Sequence, residues 1–257
     1  KGEYHYRSGS TKQELKGAAL DRFLLRKQGR HWDGVPVPYV RLADFDKKII
    51  GKFREKALLS KRLSEEILNE SDDSLLDKLH LTEKNYFKRA TVLLFHPDPE
   101  KYVTGAFIKV GYFKNDADLV FHDEIHGDMF TLVDKTMELL LAKYLRGEIS
   151  YRRIQRIETY PVPEAALREA LLNAVAHKDY GSAVPIQISV YDNKIMFWNP
   201  GTLPDGWTVK TLTEKHSSQP HNPDIANALF RAGMIEAWGR GIEKISQACL
   251  ESGSSRF

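Results

Sequence analysis

The stretch from Pro161 to Tyr180, PVPEAALREALLNAVAHKDY, constrains everything around it. Pro161 and Pro163 bar a helix from starting earlier, and Pro163 is pre-set for a first helical turn, where its missing N–H costs nothing. Leu167, Ala170, Leu171, Ala174 and Val175 recur at helical spacing and predict a buried face. Glu169, Asn173 and His177 fall at i, i+4 and i+8, and at ~100° per residue they cover an arc of only ~80°. A helix facing bulk water is polar over a wide arc. Here Leu172, Ala174 and Ala176 hem in a narrow polar stripe, so the stripe is expected to face a pocket.

Downstream, Ile186–Tyr191 and Lys194–Trp198 are two β-rich runs around Asp192-Asn193 and read as a hairpin. It ends in the turn Asn199-Pro200-Gly201, and later Gly239-Arg240-Gly241-Ile242 opens a helix. Glu169-x-x-x-Asn173-Ala174, the turn after the hairpin and the glycine pair, in that order, resemble the N-box, adenine loop and second glycine box of the GHKL fold (gyrase, Hsp90, histidine kinase, MutL). A closer resemblance is to bacterial and archaeal RecG-like or transcriptional-regulator proteins, which join a Schlafen-type AlbA domain to a divergent GHKL module. It is carried by Leu167–Tyr180, Asn199–Gly201, Asn222–Ala226 and Gly239–Ile242. It covers most of the chain from about Thr82, and Tyr4–Thr11 more faintly.

The resemblance implies an ATP pocket between a sheet and the stripe-bearing helix. Asn173 would hold Mg²⁺ through its amide oxygen, beside phosphate oxygens and water. Glu169 would be the general base that polarises attacking water, and His177 would contact phosphate or ribose. Asn199 and Gly201 would meet the base, while Gly239, Arg240 and Gly241 would meet the phosphates through backbone N–H groups and a helix N-terminus. The loop from Gly201 to Trp238 would be a lid, with Lys210, Lys215 and His216 as phosphate partners. The chain departs from the pattern at Asn199, where the family has an Asp, and at Leu203, where it has a glycine. An Asn oxygen still accepts a hydrogen bond, but a charge-assisted bond is roughly twice as strong.

Tyr4–Arg7 alternates as a strand and Thr11-x-x-Glu14 predicts a capping box for a helix to about Lys27. Together they resemble the end of an AlbA domain, with Arg7, Ser8, Ser10, Thr11 and Lys12 as phosphate contacts in the intact protein. Asp44 is expected to cap a helix bearing Phe45, Ile49, Phe53 and Ala57; Leu75–Leu79 and Thr82–Arg89 read as short helices; Thr91–Phe95 reads as a buried strand. Strands are expected at Gly105–Phe113, Leu119–His122 and Ile149–Glu158, and a long helix at Met129–Tyr144. The histidines of His122-Asp-Glu-Ile-His126 are spaced like metal ligands, but Asp123 stands where a zincin has Glu, so surface histidines are expected.

The fold expected is α/β (α+β): a mixed sheet with helices on one side, Bergerat-like from about residue 150 to 257. An AlbA remnant (1–35), a helical linker (36–90) and an α/β region from 91 would precede or contain it. One cysteine, Cys249, excludes an internal disulfide framework, and no apolar run approaches the ~20 residues of a membrane span, which predicts a cytoplasmic protein. A net charge of +3 is too small to establish nucleic-acid binding by itself. The chain lacks the Gly-x-x-x-x-Gly-Lys-Ser/Thr loop of a helicase motor and, starting at Lys1, reads as a piece of a longer protein. Two functions are expected as alternatives: an ATP-binding regulatory module of a DNA-associated regulator, with or without slow Mg²⁺-dependent ATPase activity; or a degenerate GHKL scaffold for dimerisation or protein interaction.

Overall fold

The structure is a computed structural model and describes residues 3–8, 11–145, 147–152, 155–204, 206–214 and 216–253. An antiparallel hairpin, β1 (His5–Ser8) and β2 (Thr11–Glu14), leads to helix α1 (Gly17–Lys27). Thr11–Glu14 is therefore a strand and not a helix cap. Its residues pair across a two-residue loop, Ser8 opposite Thr11, and the ladder takes the backbone groups that a cap would have used. Ser10 lies outside the described residues.

After β3 (Pro36–Val37) come α2 (Lys47–Ser60), α3 (Glu65–Leu68) and α4 (Asp72–Lys78), then β4 (Thr82–Glu83), β5 (Tyr86–Lys88) and α5 (Arg89–Phe95). Asp46, not Asp44, caps α2 by accepting from the Lys48 amide at 2.7 Å. Thr82–Arg89 is not helical. Lys84 adopts φ 57°, and the chain turns back on itself into a small sheet of order β3–β5–β4. Thr91–Phe95 reverses the other way, lying in a helix whose residues from Ala90 to Phe95 are all buried. A wholly buried apolar run has no polar face, so its periodicity cannot separate helix from strand. Phe53 of α2 and Phe95 of α5 meet edge to face at 5.7 Å, and Phe130 of the next helix closes the cluster at 5.9–6.1 Å from each.

The second half is built on a mixed sheet. Its strands β6 (Ile108–Asn115), β7 (Asp118–Ile125), β10 (Ile186–Val190) and β11 (Ile195–Trp198) stand in the order β11–β10–β6–β7, with only β10–β6 parallel. Ile108, Val110, Ile186, Ile188 and Val190 bury one face. On that face lie α6 (Met129–Leu139), which continues as a π-helical turn to Tyr144, and α7 (Glu164–His177). Trp198 and Met196 stay half-exposed on the other face, so the sheet is covered by helices on one side. Between α6 and α7 is a separate hairpin, β8 (Glu148–Arg152) and β9 (Gln155–Thr159), where a single strand was expected. Helices α8 (Val209–Thr213), α9 (Pro223–Arg231) and α10 (Gly241–Glu251) complete the chain. His126 on the β7 side pairs with Glu100 at 2.6 Å and stacks on Phe107. No helix among the described residues is long and apolar enough to cross a membrane.

The amino-terminal loop is pinned to this half through Asp33. Its buried carboxylate accepts from the amides of Asp224 and Ile225, at 2.8 and 3.1 Å, where α9 begins. Those bonds favour the charge, but burial and the neighbouring Asp224 oppose it and win, raising the pKa to about 7. Between the ordinary value of 3.8 and about 7 the folded state therefore holds more protons than the unfolded one, so this group's contribution to stability falls as pH rises through that window. Asp33→Asn keeps an acceptor for both amides without the charge. The variant should match the wild type in chemical denaturation below pH 4 and exceed it at pH 8, by an amount on the order of a few kcal/mol. Equal stability at both pH values would show that Asp33 carries no such penalty.

Candidate functional site

Helix α7 carries the polar stripe past the open end of a cavity of about 910 Å³. Its apolar side is buried through Leu167, Leu171, Leu172 and Val175, which fixes the rotation of the helix and so the direction of the stripe. Ala170 is half-buried, packing against the small apolar cluster of Ala166, Ile245 and Cys249 while also lining the cavity. Pro163 is the N-cap rather than the first helical residue. Beyond the other end, Asn222 is buried and its amide donates to the carbonyls of Ala176 and Lys178 at 3.0 and 2.7 Å. That side chain satisfies the otherwise orphaned carbonyls of the last turn, and the following Pro223 starts α9 at a position where no N–H is needed. Tyr180 is buried with its hydroxyl donating to Val175 O at 3.1 Å, and the Lys178 ammonium, also buried, donates to the carbonyls of Asp179 and Ser182. The His-Lys-Asp-Tyr sequence is thus a latch that closes the helix and aims its stripe.

The structure brings eight of the site residues read from the sequence to this one cavity: Glu169, Asn173 and His177 on α7, Asn199 and Gly201 after β11, and Gly239, Arg240 and Gly241 at the start of α10. The glycines sit where side chains would not fit. A β-carbon on Gly241 would lie 2.6 Å from Glu169 Oε1 and 2.7 Å from Asn173 Nδ2. One on Gly201 would lie 3.0 Å from the His177 carbonyl. Gly239 adopts φ 67°, a left-handed conformation, with its missing side chain's place taken by His216. The two glycine turns therefore clamp α7 at opposite ends, Gly241 on Glu169 and Gly201 on His177, eight residues or ~12 Å apart.

The electrostatics differ along that length. Burial raises the Glu169 carboxyl above its ordinary value; Lys244 and Arg168 pull it down and Glu236 pushes it up. Lys244 itself is bridged to Glu236 at 2.7 Å. His177 is exposed toward the cavity, where partial desolvation, then the neighbouring His221 and His216, hold its imidazole below the usual value. Asn199 turns its amide back on the Pro200 carbonyl at 3.3 Å. Trp207 and His216 line the wall in edge contact at 4.6 Å. Trp238 is 78% exposed and Phe230 packs under the Arg62 guanidinium at 4.2 Å, so neither fills the cavity. Lys210 pairs with Glu214 away from it, and Lys215 lies outside the described residues. Arg240 reaches Glu243 at 3.1 Å. Lys244, Glu236 and His221 were missed as cavity residues by the sequence reading; Lys244 lies one helical turn beyond Arg240, a spacing that could have found it.

A family described as "Putative ATP-dependent DNA helicase recG C-terminal", an ATPase-type domain, matches residues 184–257. No curated protein matches the chain in sequence. Among solved structures, the DIP2311 protein from Corynebacterium diphtheriae superimposes with a TM-score of 0.70 at 18% identity, over 99% of this chain and 50% of that one. The chain thus spans about half the length of that protein and shares its mixed α+β fold. The part of the chain that carries the β10–β11 hairpin, both glycine turns and α10, residues 184–257, is similar to the ATPase-type C-terminal domain of RecG-like proteins.

Proposed function

We propose that the cavity binds ATP in the manner of the GHKL (Bergerat) fold, and that the chain is the nucleotide-binding regulatory module of a nucleic-acid-associated protein, with slow Mg²⁺-dependent hydrolysis. The observation that carries this reading is the packing of Glu169 and Asn173 against Gly241 at the N-terminus of α10, on the wall of an open cavity. Backbone N–H groups at a helix start favour phosphate. The Asn173 amide offers the hard oxygen donor that Mg²⁺ requires, and an ion that takes its remaining ligands from phosphate and water needs no larger protein cluster. When bound, the ion would neutralise phosphate charge. Glu169, its carboxylate made more basic by burial, would take the proton of the attacking water. At the other end Asn199 and His177, whose imidazole is biased toward its neutral form, would meet base and ribose.

Asn173→Ala tests the metal assignment. It should weaken ATP binding about tenfold with Mg²⁺ present and much less without it, measured by titration calorimetry. Equal loss in both conditions would remove Asn173 as a metal ligand. The second reading, a scaffold without nucleotide, is favoured by Asn199, whose neutral amide oxygen is a weaker acceptor than the carboxylate of related folds. No calorimetric heat and no thermal shift at millimolar ATP and Mg²⁺ would put that reading first.

For nucleic acid, the small net charge of +3 leads us to expect weak, sequence-indifferent DNA binding by this chain, falling steeply with salt as for phosphate contacts. Tight, sequence-selective binding at physiological salt would contradict it.

A further inference from the structure

The motifs do not account for one wall of the cavity. Leu25 near the end of α1, and Arg30, His31 and Trp32 in the loop that follows, line the same space as Glu169 and His177. This loop is anchored twice at the His177 end. Trp32 stacks on Tyr180 at 6.1 Å with the Arg89 guanidinium 4.5 Å from its ring, and Asp33 holds the start of α9. Helix α1 itself is set off from the body. A second cavity, of about 350 Å³, lies between Asp21 and Leu24 on the helix, with Gln28 just past its end, and Arg89, Asp179 and Gly181 on the body. Among the described residues, the loop that walls the site ties the hairpin and α1 to the carboxy-terminal half.

We infer, resting on the nucleotide reading above, that Arg30, His31 and Trp32 complete the base-and-ribose side of the site, and that its occupancy is linked to the docking of α1. Asn199 brings a weaker base contact than the Asp of related folds. The loop supplies what is lost at that end, with an indole edge, an imidazole and a guanidinium. A ligand that touches both walls has full affinity only for the docked state. It shifts the loop toward docking by its differential affinity, and anything that releases α1 weakens the ligand by the same factor. The amino-terminal hairpin thereby senses whether the nucleotide is present.

The test uses the full chain, with ATP and Mg²⁺ as the probe. Amide hydrogen exchange over residues 17–35 should slow about fivefold or more on saturation, and Arg30→Ala and His31→Ala should each weaken ATP binding by about fivefold or more. His31 is exposed and Arg30 pairs with Glu83 at the surface, so both variants keep the fold, which their melting temperatures check. If the wild type binds ATP while exchange over 17–35 is unchanged and both variants bind as well as the wild type, this inference is overturned and the nucleotide reading stands. If the wild type binds no ATP, both fall together.

Discussion

Glu169→Gln should bind ATP within about twofold of the wild type and lose turnover by about 10²–10⁴-fold, the usual scale of a general base. Glutamine keeps the size of the side chain and one of its acceptors, so its neighbours Gly241 and Asn173 are left in place. What it lacks is basicity. The same residue sets the pH dependence. Burial raises the Glu169 carboxyl, and only its ionised form accepts a proton, so wild-type turnover should rise with pH through an acid limb above the ordinary glutamate value. The glutamine variant should show no such limb in whatever activity remains. Single-turnover phosphate release across pH measures both. A variant that turns over like the wild type would remove Glu169 from the chemistry while leaving nucleotide binding untouched.

How much of this was legible follows from how local each signal is. The stripe on α7 was readable because Glu169, Asn173 and His177 repeat within eight residues, against an apolar face whose period fixes the rotation. The β10–β11 hairpin was readable because its turn pair separates two alternating runs. The glycines were legible only as places for backbone to approach phosphate; that Gly201 and Gly241 lie close against α7 needed the structure. The failures have the opposite character. Thr91–Phe95 has no polar face to report its period, since every side of α5 is buried. Thr82–Arg89 turns on Lys84 at φ 57°, where no glycine marks the reversal. Thr11–Glu14 satisfies a helix-start pattern, yet the ladder with His5–Ser8 claims it, because pairing across a chain reversal outweighs a local cap. The wall at Arg30–Trp32 was invisible for a different reason. Its partners Tyr180 and Asp224 lie far along the chain, and no spacing rule reaches that distance.

Gly241→Ala should separate the site from the fold. Its backbone is ordinary, with no positive φ, and at the first position of α10 alanine does not strain the helix, so α10 and the melting temperature should hold. The new β-carbon would nevertheless fall 2.6 Å from Glu169 Oε1 and 2.7 Å from Asn173 Nδ2. Both atoms are ends of side chains that can swing away, so the clash is relieved by displacing the two groups on which chemistry depends rather than by unfolding. A displacement near 1 Å at a reacting centre costs on the order of 10²-fold in rate. Turnover should therefore fall about a hundredfold or more, and Mg²⁺-dependent ATP affinity should fall with it, in a protein that melts like the wild type. Gly201→Ala meets the His177 carbonyl at 3.0 Å and should disturb the opposite end, raising the dissociation constant more than it lowers the rate. If Gly241→Ala left affinity and turnover at wild-type values, then Glu169 and Asn173 could move freely without consequence. Their meeting on this glycine would be packing and nothing more.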